Sequence, residues 1–199
     1  MYEFFKRFFD IIFSVLALII FLPIILFFSL IIIFIQFQNP IFVQKRSGVN
    51  GKIIKIFKLT SMKTINNKIY VTKLGQFLRI SKLDEIPQLI NVIKNDMSII
   101  GPRPLYIEFN KYYKGKHKLR LKIKPGITGL AQVKVKDNTS WSIKFNFDYI
   151  YYKRQSTSLD LFIVYRTIVN IFLSIFVKNK RSIENIDYMS DFLKNYAND

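Results

Sequence analysis

"IIFSVLALIIFLPIILFFSLIIIFI", Ile11 to Ile35, is interrupted only by Ser14, Pro23 and Ser29, and about 20 apolar residues suffice to cross a bilayer. It reads as a membrane segment. The run exceeds the apolar core of a secretory signal, and no small-x-small cleavage pattern follows it. Pro23, near the middle, removes one helical hydrogen bond and crowds the preceding turn, so a kink or a break is expected there. Lys6 and Arg7 precede the segment, and Lys45, Arg46, Lys52, Lys55 and Lys58 follow it. Both flanks therefore carry the positive charge of a cytoplasmic side. A kinked single span would place one cluster outside, whereas a hairpin hinged at Pro23 would keep both on one side.

The charge works outward from that segment. Met1 to Pro40 contain only Glu3, Lys6, Arg7 and Asp10 as ionised side chains, so the whole formal charge of +18 falls on the remainder of the 199 residues. Such a body seeks anions: phospholipid headgroups, nucleic acid or phosphorylated substrates. Twenty phenylalanines and a half-hydrophobic composition are high for a small soluble protein and point to lipid contact. The chain length suits one domain plus an appendage. There is no cysteine and a single histidine, His117, in a lysine-rich stretch. Disulfides, thiolate chemistry, a histidine triad and a histidine-built metal site are set aside, which leaves carboxylates, lysine, arginine and hydroxyls.

Asn39-Pro40 ends the membrane segment, and "IFVQKRSGVNGKIIKIFKL" (41–59) alternates around Gly48 and Gly51 like a short hairpin. In "KLDEIPQLINVIKNDMSIIGPRP" (82–104), Leu83, Ile86, Leu89, Ile90, Ile93 and Met97 recur at helical spacing, and Pro87 is tolerable only near a helix start. A helix beginning close to Ser81 or Asp84 is expected. Four of the seven glycines and three of the six prolines fall between Gly101 and Gly129, in "GPRP" and "KPGITG", which mark shaped loops. Leu159 to Val177 is again apolar but holds Arg166 and Asn170, and suits an interfacial or packed helix better than a span. The tail from Lys178 is polar.

Asp84 and Glu85 stand together in front of that helical run. At a helix start the dipole and free N–H groups favour ionised carboxylates, which serve as nucleophiles or as hard ligands for Mg2+. An acid pair in a first turn is also a common cap, so the dyad alone is weak. Its surroundings strengthen it: Arg79 lies one turn upstream, Arg103 sits between two prolines, and Arg120, Lys122 and Lys124 lead into Pro125-Gly126. Arginine binds phosphate as a bidentate fork, and flanking prolines limit its backbone. This pattern suggests a phosphate pocket, set against the plainer reading of a basic face on anionic lipid. No P-loop or Gly-rich dinucleotide motif occurs.

"FLRISKLDEIPQLINVIKNDMSIIGPRPL", "KPGITGLAQV" and the proline-interrupted apolar segment resemble, from about Tyr2 to Leu161 and in the same order, the bacterial sugar transferases of the monotopic phosphoglycosyl transferase family. The short chain is similar to the small members, of the kind that begin bacillosamine-type glycans. The resemblance implies an α+β, mostly helical, monotopic membrane protein with an N-terminal re-entrant helix hinged at Pro23 (1–38), a transferase body with interfacial amphipathic helices on the cytoplasmic face of the bacterial inner membrane (39–183), and a polar C-terminal tail (184–199). It implies transfer of a sugar 1-phosphate from a UDP-sugar to undecaprenyl phosphate, with release of UMP, at the start of surface-glycan or glycoprotein-glycan assembly. Downstream glycosyltransferases are its implied partners.

Carried over position by position, Asp84 becomes the nucleophile of a covalent phosphosugar intermediate and Glu85 the Mg2+ ligand that assists the acceptor, with Asp84 also within reach of the metal. Lys58 in "FKLTSM", Arg79, Arg103, Lys136 and Asp160 in "SLDL" are the implied substrate-binding positions, and Arg120 joins them from the basic run before Pro125-Gly126. Three departures stand out: Leu22 replaces a serine before the membrane proline, Thr60 occupies an often basic place, and Lys134-Val135-Lys136 replaces Asn-Gly-Arg, so Lys136 keeps the charge without the planar fork. Two other classes fit the composition. One is a non-catalytic membrane adaptor that binds anionic lipid or partner enzymes, for which the dyad has no use. The other is a nucleic-acid binder, for which the chain carries no recognised motif.

Overall fold

The computed structural model describes residues 1–65, 68–136, 138–176 and 196. Helix α1 (Tyr2–Gln36) closes where Phe37 takes a left-handed φ of 53° and returns its N–H to the Ile32 carbonyl. The helix continues through Pro23, so the break expected there is absent, although the proline still withholds its N–H from the Ile19 carbonyl one turn back.

The polarity of α1 is inverted relative to a soluble helix. Its buried residues are Asp10, Ser14, Ile32 and Gln36, while Ile19, Phe27 and Phe34 are 65%, 59% and 69% exposed. Polar groups face the protein and apolar groups face outward, the arrangement a lipid solvent selects. Near its start, Tyr2 and Lys6 meet Asp160 at 2.8 and 3.0 Å, Arg7 donates to the carbonyls of Val92 and Ile93 at 2.7 and 3.0 Å, and Asp10 accepts from the Ile99 N–H at 3.2 Å. Near its end, Ile25, Phe28 and Ile32 pack with Leu59 and Leu78, and Gln36 donates to Thr72 at 3.3 Å. Both halves thus dock on the same body.

That body begins with the expected hairpin. Strand β1 (Ile41–Ser47) pairs antiparallel with β2 (Ile53–Leu59), Phe42 opposite Lys58, around a turn in which Asn50 and Gly51 both have positive φ. A second hairpin joins β3 (Met62–Ile65) to β4 (Lys68–Val71). Helix α2 (Lys73–Ile80) starts at Thr72, whose hydroxyl accepts from the Gly75 N–H at 2.9 Å.

The next helix is shorter than its periodicity predicts. Lys82, at φ 60°, stops α2, a 3-10 turn covers Leu83–Glu85, and α3 runs only over Gln88–Ile93. Pro87 has no N–H to give the Leu83 carbonyl, which instead accepts from Ile86 at 3.3 Å, and α3 starts immediately after it, where a proline forfeits no helical bond. Asp84 and Glu85 therefore ride on a tight turn ahead of α3 rather than in its first turn.

Strand β5 (Ser98–Ile100) pairs in parallel with β6 (Gly126–Thr128), bringing "GPRP" against "KPGITG". The contact is too close for side chains: a Cβ on Gly126 would sit 2.1 Å from the Gly101 nitrogen, and one on Gly129 would sit 2.1 Å from the Gly101 oxygen. Helices α4 (Leu130–Lys134), α5 (Trp141–Arg154) and α6 (Thr157–Phe176) complete the fold. One apolar cluster joins Leu105, Phe109, Tyr113, Trp141 and Phe145, and another joins Ile100, Leu130, Val133, Tyr151 and Ile163. Apolar side chains of α6 such as Leu161, Tyr165 and Phe172 remain exposed, and by length and composition both α1 and α6 could cross a membrane. The tail expected over 184–199 lies outside the described residues apart from Tyr196, which is buried against Phe145.

Candidate active site

Helix α3, which follows the dyad turn, is tied to β2 by the side chain of Asn91. Asn91 in α3 is fully buried; its Oδ1 accepts from the Phe57 N–H at 3.1 Å and its Nδ2 donates to the Lys55 carbonyl at 2.7 Å. These two bonds clamp α3 beside the segment that carries Lys58. Its ammonium lies 2.9 Å from Glu85 Oε1, and the Arg103 guanidinium lies 3.5 Å from the same oxygen. Arg79 donates through Nε to Ser61 at 3.0 Å, and α2 is pressed so tightly on that loop that a Cβ at Gly75 would lie 1.9 Å from the Ser61 carbonyl oxygen.

The two acids differ sharply in their electrostatics. Burial first, and the charge of Glu85 second, push the Asp84 carboxyl up to about 6 against the pull of Lys58, Lys82 and Arg79. Burial also acts to raise Glu85, but Lys58, Lys82 and Arg103 outweigh it and hold that carboxyl well below the usual range. The sequence-based expectation that a helix terminus favours ionisation of both acids therefore fails for Asp84, where burial, and after it the charge of Glu85, outweighs the pull of Lys58, Lys82 and Arg79. Two neighbouring carboxyls driven apart in this way are suited to separate tasks. Asp84 Oδ1 is also buried without a hydrogen-bond partner, a costly state that a ligand can relieve.

A cleft opens beside the dyad, lined by Lys58, Glu85 and Arg103 with Arg46, Gln88 and Tyr106, and by Ile56, Leu105 and Phe109. Asp84 lies next to this wall, not in it. Among the described residues no cluster of three or more acids, histidines or cysteines forms a ready-made metal cage. Mg2+ does not need one, since it commonly takes one or two carboxylates together with substrate phosphates. The orphaned Asp84 oxygen beside Glu85 fits that role.

Lys58 and Arg103 both meet Glu85, with Asp84 its chain neighbour, while Arg79 bonds Ser61 and acts on Asp84 only through its charge. Arg120 is not in the cleft wall. It is buried, donating to Asp148 at 2.9 Å, to the Tyr113 hydroxyl at 2.7 Å and to the Arg103 carbonyl at 2.7 Å, so it fixes the Arg103 backbone from behind. Asp160 sits at the start of α6, tied to Tyr2, Lys6 and Tyr151. Lys136 is exposed beyond α4. Thr60 bonds the Asn39 carbonyl at 2.7 Å, securing the exit of α1, and Leu22 is exposed. Lys82, Arg46, Gln88 and Tyr106 were missed by sequence reasoning. The first two were visible only as members of basic runs, and Tyr106 as an aromatic two residues beyond the Pro-Arg-Pro knot.

Residues 1–174 match the family model described as bacterial sugar transferase. The chain is 33% identical over 178 residues to "Uncharacterized sugar transferase EpsL" of Bacillus subtilis, covering 85% of this chain and 88% of that protein. It is 37% identical over 188 residues to the UDP-glucose:undecaprenyl-phosphate glucose-1-phosphate transferase of Klebsiella pneumoniae, covering 85% of this chain but 40% of that longer protein. A third relative, the UDP-N-acetylgalactosamine-undecaprenyl-phosphate N-acetylgalactosaminephosphotransferase of Aeromonas hydrophila, is 34% identical over 191 residues, with 85% and 44% covered.

Proposed function

The chain belongs to the bacterial sugar transferase family and is a sugar-phosphate transferase, and from that premise we propose that it moves a sugar 1-phosphate from a UDP-sugar to undecaprenyl phosphate through a covalent intermediate on Asp84. The observation that carries this reading is the buried, unpartnered Asp84 oxygen beside a Glu85 held ionised by Lys58 and Arg103.

In the first step an ionised Asp84 oxygen attacks the phosphorus that bears the sugar, the phosphoanhydride bond breaks, and UMP leaves with the bridging oxygen. In the second, a phosphate oxygen of the lipid attacks the same phosphorus, the acyl-phosphate bond breaks, Asp84 regains its carboxylate, and a polyprenyl diphosphate sugar is released. Lys58, Arg79 and Arg103 offset the negative charge gathering on the diphosphate, with Arg120 fixing the Arg103 backbone. Glu85, ionised throughout, steers these cations and orients the acceptor. Mg2+, held by Glu85 and Asp84 with substrate phosphates, would supply further charge neutralisation.

We place the body at the cytoplasmic face of the bacterial inner membrane, with 1–38 as a re-entrant helix and α6 in the interface. Support comes from the positive charge on both flanks of α1, its inward-facing polar residues, and the docking of both its halves on one body. Downstream glycosyltransferases would consume the lipid-linked product. A non-catalytic adaptor would have no use for a carboxyl kept buried beside another at a cost in stability.

The test uses full-length protein in detergent with Mg2+, a panel of UDP-sugars, and undecaprenyl phosphate present or absent. Lipid-dependent UMP turnover, together with a phosphosugar mass adduct that disappears in Asp84→Asn, is the expected result. Turnover unchanged by that substitution overturns the mechanism.

A further inference from the structure

Among the described residues, every polar side chain lining the cleft but one is engaged within the protein. Lys58 and Arg103 meet Glu85. The Arg46 guanidinium lies 3.5 Å from the centre of the Tyr106 ring and donates to Gln44 at 2.6 Å, while the Tyr106 hydroxyl accepts from Gln44 at 3.2 Å. Gln88 is the exception: it lines the same wall, is only 3% exposed, and its amide makes no hydrogen bond to any described residue. Asn91, on the same buried face of α3, shows what a structural amide does here, because both of its ends are bonded to β2. Gln88 has no such duty. A buried amide left unmatched costs stability, and a ligand that enters the cleft can complete it.

We infer that the Gln88 amide is a specificity contact for the transferred sugar, holding the substituent on its second carbon, an inference that rests on the reading of the cleft as a site of sugar-phosphate transfer. The chemistry of the amide selects the partner. It offers two N–H donors and a carbonyl acceptor. A phosphate oxygen only accepts, so it would leave the amide carbonyl stranded, and Lys58 and Arg103 on the same wall suit it better. A ring hydroxyl or an acylamino group both donates and accepts, and so matches both ends of the amide. Position points the same way. Tight turns carry the chain from the dyad to Gln88, with Ile86 donating to the Leu83 carbonyl at 3.3 Å and Leu89 to the Ile86 carbonyl at 3.0 Å, so the amide stands one turn beyond Glu85. A sugar joined to Asp84 through its anomeric phosphate brings the substituent on its second carbon closer to the dyad than its other ring hydroxyl positions.

The experiment follows the phosphosugar adduct by rapid-quench intact mass on full-length protein in detergent with Mg2+, for wild type, Gln88→Met and Gln88→Asn. The donors are UDP-glucose, UDP-galactose, their 2-acetamido counterparts and their 2-deoxy counterparts. The parent donor that wild type prefers identifies the substituent as hydroxyl or acylamino. With that parent, Gln88→Met, which keeps the side chain's length without its amide, should slow adduct formation by about 5- to 150-fold. Gln88→Asn, which withdraws the amide by one methylene, should slow it in the same way. The 2-deoxy donor should already be slow with wild type, and the penalties for removing the amide and the substituent should not add. UMP affinity and melting temperature should not fall in either variant. Equal slowing of the parent and the 2-deoxy donor overturns the inference, as does a parallel loss of UMP affinity or of melting temperature. A wild type that forms the adduct, with variants that match it on the parent donor, defeats the Gln88 assignment alone. A wild type that forms no adduct and turns over none of the donors defeats the transferase reading beneath it as well.

Discussion

Replacing Lys58 with methionine should move the pH dependence of the first chemical step. Lys58 sits 2.9 Å from Glu85, with the two side chains 19% and 10% exposed, and it also draws the Asp84 carboxyl downward. At that separation the attraction is on the order of 6 kcal/mol in an effective dielectric near 20. Desolvation offsets part of it, and stranding one partner of a buried pair costs about 3–5 kcal/mol. Lys82 and Arg103 still act on Glu85 in the variant, so its charge and its repulsion of Asp84 persist. With one cation gone, the Asp84 carboxyl should rise above its present value of about 6 by about 1–2 units. On the proposed mechanism Asp84 must be ionised to attack, so the reactive fraction at pH 6 should drop from about half to about a tenth or less. Rapid-quench intact-mass measurement of the phosphosugar adduct from pH 5 to 9 reads this directly, with Lys58→Arg as the charge-retaining control. A general loss of rate with the midpoint still near 6 would mean that Lys58 serves the substrate only, and would refute the electrostatic account of the dyad.

Three further outcomes follow from the same geometry. Asp84→Asn removes a carboxyl lifted from 3.8 to about 6, a penalty of up to about 3 kcal/mol that is fully present above pH 6 and fades as pH falls toward 4; calorimetry at pH 7.5 should show a melting temperature several degrees higher, and a lower one would contradict the buried-repulsion argument. Arg120→Met strands the buried Asp148 and should cost about 3–5 kcal/mol, seen as a large drop in denaturation midpoint, with Arg120→Met/Asp148→Leu recovering much of it. Gly126→Ala places a methyl group 2.1 Å from the Gly101 nitrogen, so it should sharply reduce the yield of folded protein, whereas Gly115→Asn, at an open site with φ 47°, should be tolerated.

Local features of the fold were legible. The β1–β2 hairpin follows from alternation around two glycines, and the dyad, Lys58 and Arg103 are marked by their own segments. The same signals mislead where a partner lies far away in sequence. Arg120 looks like one more anion-seeking cation until Asp148, 28 residues on, folds against it. Asp160 looks like a site acid until α1 brings Tyr2 and Lys6 to it from the other end of the chain. Arg46 and Tyr106 are separated by 60 positions, and only the fold stacks them. The helix expected from Ser81 or Asp84 was overestimated because its apolar spacing runs on through the left-handed Lys82 and the 3-10 turn over Leu83–Glu85, where the backbone is not α-helical.

The docking of α1 at both of its ends bears on how two reactants of opposite solubility meet. Its early turns grip the carbonyl end of α3 and the start of α6, and its last turns rest on Leu59, immediately after Lys58 in the strand. In the membrane placement proposed above, the height of the dyad turn over the hydrocarbon would be set by a helix docked at both ends rather than by a flexible tether. Bilayer thickness would then become a parameter of the proposed reaction: a lipid phosphate whose headgroup plane shifts relative to α1 would still have to close the same gap to the phosphorus. Freeing the body from α1 would remove part of the frame that holds Lys58 and Asp84 in place. Solubilising this enzyme by truncation and altering its chemistry are therefore one and the same operation.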